Sequence, residues 1–367
     1  MRAICVEVKG GGEYFASSNT KNGFVSRFDS IFFNGEFDRI LILKGGPGTG
    51  KSKLMKDVSN IMRAKGYVTE EFLCSSDIRS FDALIIPEIK SAIIDGTSPH
   101  MVDPIYPGAV DSIINLGEYW DTESLVKNTE KIKALAAEKQ LYIKRAYKML
   151  TLAGEAEGAV SDIISHKLSF DKMSAAAKRF FYNDIFDKNN NITKSCKIRL
   201  ISAINDHGYI RTGSYESKAQ KKCIIINGSG CGHLFLTELC KLANCENTDY
   251  IISYDSLCPE RTDGILFPSA ALSVTIRDDQ KSWEKYHGIP YKTINMKRFT
   301  DARERKKHKN MISFITKLES SAIAEAAKNF KIASELHTQT EKIYISAMDF
   351  QKKEKLTDEI IRKLLNT

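Results

Sequence analysis

The octapeptide Gly45-Gly46-Pro47-Gly48-Thr49-Gly50-Lys51-Ser52 matches G-x-x-x-x-G-K-[S/T] at every fixed position. Each residue type has a chemical task in that pattern. The glycines let successive backbone N–H groups turn towards one centre, where they suit an anion. Lysine carries a fixed charge on a stem that reaches the β- and γ-phosphates, and the serine hydroxyl is a hard oxygen ligand for Mg²⁺. The pattern predicts Gly46, Pro47, Gly48, Thr49, Gly50, Lys51 and Ser52 as a binding loop for a nucleoside triphosphate. ATP and Mg²⁺ are the expected ligands.

A phosphate-bound metal needs an acidic partner. Asp95 follows the apolar Ala92-Ile93-Ile94 and precedes Gly96-Thr97. A carboxylate ending a buried strand beside the loop can hold Mg²⁺ directly or through water, so Asp95 joins Ser52 as a predicted metal residue. Asp77 ends Phe72-Leu73-Cys74-Ser75-Ser76 and is the predicted group to orient water or accept a proton; a purely structural role is the other reading. Lys51, Asp95 and Asp77 form the predicted catalytic set. His100 and Asp103 lie in a proline-flanked loop, where a histidine is usually a surface group. Lys144, Arg145 and Lys148 fall close together on a predicted helix, as solvated charges or as contacts to a phosphate under a closing lid.

Positioning these residues requires a strand before the loop and a helix after it. Arg39-Ile40-Leu41-Ile42-Leu43 reads as a buried parallel strand. Leu54, Met55, Val58, Ile61 and Met62 share one helical face, and Gly66 can end that helix. Residues from about Thr122 to Phe186 and from about Phe299 to Leu365 lack proline and keep helical spacing. They predict a helical extension in each half, as a lid, a stalk or a cover for the sheet, and a possible surface for a protein partner.

The chain repeats itself in order. Phe15 to Val25 is echoed by Ile201 to Ile210, and Leu41-Ile42-Leu43 by Cys223-Ile224-Ile225-Ile226. The loop is echoed by Asn227-Gly228-Ser229-Gly230-Cys231-Gly232-His233-Leu234, and Asp82 to Pro87 by Asp263 to Pro268. His233 replaces the lysine and Leu234 the serine, so the second loop loses the fixed charge and the metal ligand. Asp255 roughly matches Asp77 beside that worn loop. The prediction is an α/β protein of two P-loop NTPase-like domains from an internal duplication. They divide as 1–190 with the intact loop and 191–367 with the degenerate one, and Asn189-Asn190-Asn191 forms a surface turn between them.

Composition narrows the classes. The 367 residues are 42% hydrophobic, which argues against wholesale disorder. No run of eighteen apolar residues and no signal-peptide core appears, so no membrane span is expected. The eight cysteines form no CxxC pair and read as reduced thiols, which predicts a cytoplasmic location. The net charge is +8, and the basic excess is most visible locally in Arg303-Glu304-Arg305-Lys306-Lys307-His308-Lys309. That run reads as a solvated helix face, and no nucleic-acid motif accompanies it.

With these residues in view, the chain resembles a bacterial family of duplicated P-loop proteins, found largely among Firmicutes and labelled ATPase or nucleotide kinase. The likeness is carried by Phe15 to Thr20, Gly45 to Ser52, Asp95 to His100 with Asp103-Pro104, Tyr106 to Asp111, and Asn115 to Asp121. It implies ATP binding. In that family the second loop often looks complete, and His233 and Leu234 depart from it here. The expectation is Mg²⁺-dependent ATP binding with hydrolysis. A small-molecule or nucleotide kinase and a non-catalytic ATP-binding scaffold are the alternatives.

Overall fold

The computed structural model describes residues 6–8, 12–187, 195–227, 230–277, 283–284 and 287–365. The expected turn at Asn189-Asn190-Asn191 lies outside them, as do Gly228 and Ser229 of the second loop. In chain order the strands are β1 (Val6–Val8), β2 (Glu13–Phe15), β3 (Ser17–Thr20), β4 (Gly23–Ser26), β5 (Arg39–Lys44), β6 (Glu70–Leu73), β7 (Phe81–Ile86), β8 (Ser91–Asp95) and β9 (Asp111–Asn115). They continue as β10 (Cys196–Ile198), β11 (Ser202–Asn205), β12 (Gly208–Thr212), β13 (Lys221–Ile226), β14 (Tyr250–Tyr254), β15 (Thr262–Phe267), β16 (Leu272–Arg277) and β17 (Lys292–Asn295). The described helices are α1 (Phe28–Phe32), α2 (Lys51–Ala64), α3 (Thr122–Lys127), α4 (Thr129–Ser165), α5 (Phe170–Asp184), α6 (Ser214–Lys218), α7 (Gly232–Cys245), α8 (Ala302–Ser346) and α9 (Phe350–Leu365).

These elements form two compact units that interleave along the sequence. The Lys51 unit gathers Gly12–Ser18, Phe24–Ala146 and Ala327–Thr367. The His233 unit gathers Met1–Gly11, Asn19–Gly23 and Tyr147–Ala326. A cut at residue 190 isolates neither, because the chain passes from one unit to the other inside α4 and inside α8.

The Lys51 unit holds a six-stranded sheet in the order β2-β6-β7-β8-β5-β9. The His233 unit holds another in the order β10-β14-β15-β16-β13-β17. Position by position the two orders match. β6–β7 and β7–β8 are antiparallel, as are β14–β15 and β15–β16, and the remaining described pairs are parallel. This agreement is consistent with a duplicated α/β fold. A three-stranded sheet, β1-β12-β11, adds to the His233 unit.

The local sequence explains the central strand and its helix. β5 has parallel neighbours on both sides, and its Ile40 to Leu43 are all buried; such a strand needs an unbroken apolar run. α2 buries Leu54, Met55, Val58 and Met62 along one face. It stops at Ala64, and Gly66 follows at φ 90°, a left-handed conformation that glycine takes without strain.

The helices exchange partners between the repeats. In the Lys51 unit, α9 packs on α2. In the His233 unit, α5 packs on α7, and Ala156, Val160 and Ile164 from α4 join Phe235, Leu236 and Leu239 in one core. Thus the helices after the first sheet cover the second repeat's helix, and the last helix covers the first repeat's helix.

A matched turn marks the duplication more closely than the segments noted above. The Asn115 side chain accepts the Gly117 N–H, a 3₁₀ turn spans Leu116–Tyr119, and Asp121 caps α3 by accepting the Ser124 N–H. Asn295 accepts the Lys297 N–H, a 3₁₀ turn spans Met296–Phe299, and Asp301 accepts the Arg303 N–H at the start of α8. Among the described residues no helix is long and apolar enough to cross a membrane. The cysteines among them are free thiols.

Candidate functional site

The Lys51 unit places the glycine loop between the C-terminal end of β5 and the first turn of α2. Gly48 and Gly50 have φ of 73° and 76°, values a residue with a Cβ rarely adopts. Gly50 is also the residue before the first turn of α2, so its backbone sets how the loop enters the helix. Thr49 is buried, and its Oγ1 donates to the Gly46 carbonyl at 3.0 Å, holding the bend from inside.

Lys51 folds back over this loop. Its Nζ donates to the Gly45 carbonyl at 2.7 Å and to the Gly46 carbonyl at 3.0 Å. Asp95 Oδ2 lies 3.6 Å from the same nitrogen. The register explains the meeting: Leu43 of β5 is directly opposite Asp95 of β8, so the acid ends its strand beside the start of the loop. Asp95 Oδ1 accepts the Thr97 N–H at 2.9 Å and the Thr97 hydroxyl at 2.6 Å. Burial pushes the Asp95 carboxyl above its ordinary range, against the pull of Lys51 and Thr97. Added positive charge would therefore find a carboxylate short of compensation.

Ser52 Oγ accepts the Phe81 N–H at 2.8 Å and keeps its own proton and a lone pair. Ser52, Asp95 and Lys51 thus stand at one strand-to-helix junction. The donor set is hard oxygen, which fits Mg²⁺ and not a thiolate-seeking metal. The loop amides and Lys51 suit phosphate oxygens.

Asp77 stands apart from this trio. Its carboxylate is held by its own loop, accepting the Arg79 N–H at 3.0 Å and the Arg79 Nε–H at 2.9 Å. Burial opposes its charge, but the hydrogen bonds from Arg79 prevail and lower its pKa. Its field nevertheless reaches Glu341 and His337.

His100 is buried, unlike the surface group its loop suggests. Phe28 stacks on its ring at a centroid distance of 4.3 Å, and its Nε2 meets Asp82 Oδ2 at 3.1 Å. Asp103 is exposed and pairs with Lys44 at 3.0 Å. Lys144, Arg145 and Lys148 are exposed, as solvated charges are. In the basic run, Arg305 caps the preceding turn by donating to the Lys297 and Thr300 carbonyls.

Three residues at the site have no motif to announce them. Lys139 of α4 and His337 of α8 meet at 3.5 Å, Nζ to Nδ1. Lysine can only donate, so Nδ1 accepts and the neutral ring carries its proton on Nε2, which faces Glu341 Oε1 at 3.9 Å. Burial, with Lys139 and Lys51 nearby, holds His337 down at about 4. Glu341 is raised by burial and by Asp77, while Lys51, the Gly48 amide and Lys139 favour its charge.

The corresponding place in the His233 unit has different chemistry. Ile225 pairs with Ile276, the register position that Asp95 holds in the other sheet, so the acid is missing along with the lysine. Burial and the nearby Arg261 hold His233 down at about 4, which leaves it neutral at pH 7. Asp255 Oδ1 accepts the Leu257 and Cys258 N–H groups at 2.8 and 2.9 Å and serves a turn. Glu157, Asp255 and Cys258 cluster there, but the Arg261 guanidinium is 3.6 Å from Glu157 and supplies the positive charge itself.

No family model matches this chain, and neither curated proteins nor solved structures give a match. The functional reading therefore rests on the geometry of the site.

Proposed function

We propose that the chain binds ATP with Mg²⁺ in the Lys51 unit and hydrolyses it. The observation that carries this reading is the convergence of Lys51, Asp95 and Ser52 at the end of a left-handed glycine loop that opens into α2. The loop amides and the α2 N-terminus favour the phosphates, and Lys51 leaves its carbonyl partners to meet them. Ser52 and Asp95 would hold Mg²⁺, and the metal would supply positive charge to the phosphate oxygens. Asp95, anchored by Thr97 on one oxygen, keeps the other directed at this point. The residues thus supply position and charge, which phosphoryl transfer chiefly requires.

Asp77, the acid expected to orient water or take an acceptor proton, is held by Arg79, so hydrolysis and transfer to a small acceptor are separated by assay. Purified protein with Mg²⁺ and ATP should release phosphate without added acceptor, and chelating the metal should stop it. ADP formation only when an acceptor is supplied would favour a kinase. Nucleotide binding without turnover would leave a scaffold.

A further inference from the structure

The end of α8 lies directly on the glycine loop. A Cβ placed on Gly48 would meet Ile345 Cγ1 at 2.8 Å and the Glu341 carbonyl oxygen at 3.0 Å. One on Gly46 would meet Trp120 Cζ2 at 3.1 Å and Tyr344 Cε1 at 3.6 Å. Trp120 and Tyr344 are themselves paired, with centroids 5.4 Å apart. The Trp120 indole N–H is buried there without a hydrogen-bond partner, a cost a well-satisfied closed state would avoid. Within this cover the Glu341 carboxylate stands 3.9 Å from His337 Nε2, and Lys51, the Gly48 amide and Lys139 favour its charge while Asp77 opposes it. Lysine and loop amide are the partners a terminal phosphate would require.

We propose that Glu341 is a stand-in anion for the glycine loop, and that an incoming triphosphate must displace it together with the end of α8. This rests on the nucleotide reading above. A triphosphate entering the loop would be repelled by the Glu341 charge, since like charges in a partly buried site repel strongly, whereas Asp95 beside Lys51 would hold the accompanying metal. The other unit supplies an internal comparison. There the acid is Glu157 of α4, and Ser161, one turn further along, lies against Gly230, as Ile345 lies against Gly48 one turn beyond Glu341. Glu157 is held by Arg261 at 3.6 Å and by the Cys258 thiol at 3.6 Å. Arg261 lies outside the worn loop, so that plug is permanent. Glu341 is stabilised instead in part by the charge of Lys51, the lysine that a nucleotide would claim, so its plug is releasable.

The test uses the full chain with Mg²⁺ and β,γ-imido ATP. Binding is followed by calorimetry and by intrinsic fluorescence, with Trp120→Phe identifying the signal from the cover. Glu341→Gln keeps the shape and removes the charge. It should lower Kd about tenfold or more, as expected when an ion-pair competitor is removed. Glu341→Asp should fall between, and Lys342→Gln on the same turn should match wild type. Wild-type binding should change the Trp120 fluorescence. Binding by Glu341→Gln alone would also support the proposal, as a gate closed in wild type. Equal or weaker binding by a folded Glu341→Gln, or nucleotide binding that leaves Trp120 unchanged, would overturn the gate and leave the nucleotide site standing. Binding by neither protein would remove both. Circular dichroism establishes that each variant is folded.

Discussion

Lys51 is the residue on which the proposed chemistry most depends. Its nitrogen lies within reach of two loop carbonyls and Asp95, so removing it strips a point charge from the phosphates and leaves Asp95 without its partner. Lys51→Ala should lower phosphate release about 10²–10³-fold, by analogy with deleting one preorganised donor. Steady-state assays at saturating ATP check this, and an unchanged rate would remove the loop from the mechanism. Asp95→Asn keeps the side-chain shape and its bonds from Thr97 but loses the charge. It should shift the Mg²⁺ titration of activity to higher concentration, with the thermal midpoint near wild type; superimposable titrations would assign the metal elsewhere. Lys51, Ser52 and Asp95 were legible because a loop motif and a strand-end acid are local patterns. Glu341, His337 and Lys139 were not, because a long helix carries no mark of the loop it will cover. His100 was misread for a related reason: its burial depends on Phe28 and Asp82, far from it in sequence.

At the scale of elements, the sheets were legible in their buried strands and the helices in their spacing, but not which helix covers which sheet. Apolar stripes on α5 and α9 state that something is covered and nothing about whose surface it is. The Asn115 and Asn295 turns were readable in principle as a shared Asn, aromatic and Asp spacing, and adding them would have strengthened the repeat. One element carries a pH dependence of its own. The short helix α6 is tied to the end of β16 by Glu216 and Arg277, 2.6 Å apart and buried. Burial opposes the Glu216 charge, yet Arg277, Arg211 and His287 hold its pKa down at about 2, below the ordinary 4.5. A depressed carboxyl stabilises the fold fully above its unfolded value and loses that contribution as pH falls through the folded one. The His233 unit should therefore lose stability between about pH 4.5 and pH 2. Glu216→Gln should be less stable at pH 7, because Arg277 loses its buried ion pair with Glu216, and less sensitive to acid across that window. Chemical denaturation at a series of pH values measures both.

For the whole molecule, two sheets of one topology, consistent with a duplicated fold, carry two unlike loops. The first keeps lysine, hydroxyl and acid; the second has His233, Leu234 and Ile276 in their places. Calorimetry with a non-hydrolysable ATP analogue should count one tight nucleotide per chain, abolished by Lys51→Ala. A count of two, with one site indifferent to that substitution, would show that the worn loop still binds. If Glu341 closes the first loop, the count should be taken with Glu341→Gln as well as wild type.

The exchange of helices bears on how such a chain is made and inherited. Residues 327–367 belong to the unit that holds Lys51, so that unit is completed only after residues 147–326 of the other unit have been synthesised. Until then α2 lacks α9, its apolar cover, and the nascent first repeat must wait with that surface open. The same exchange gives the second repeat a role beyond its own loop, because it carries the helix that covers α2. A gene shortened to the first repeat would keep every residue of the loop and lose the helix that closes over it.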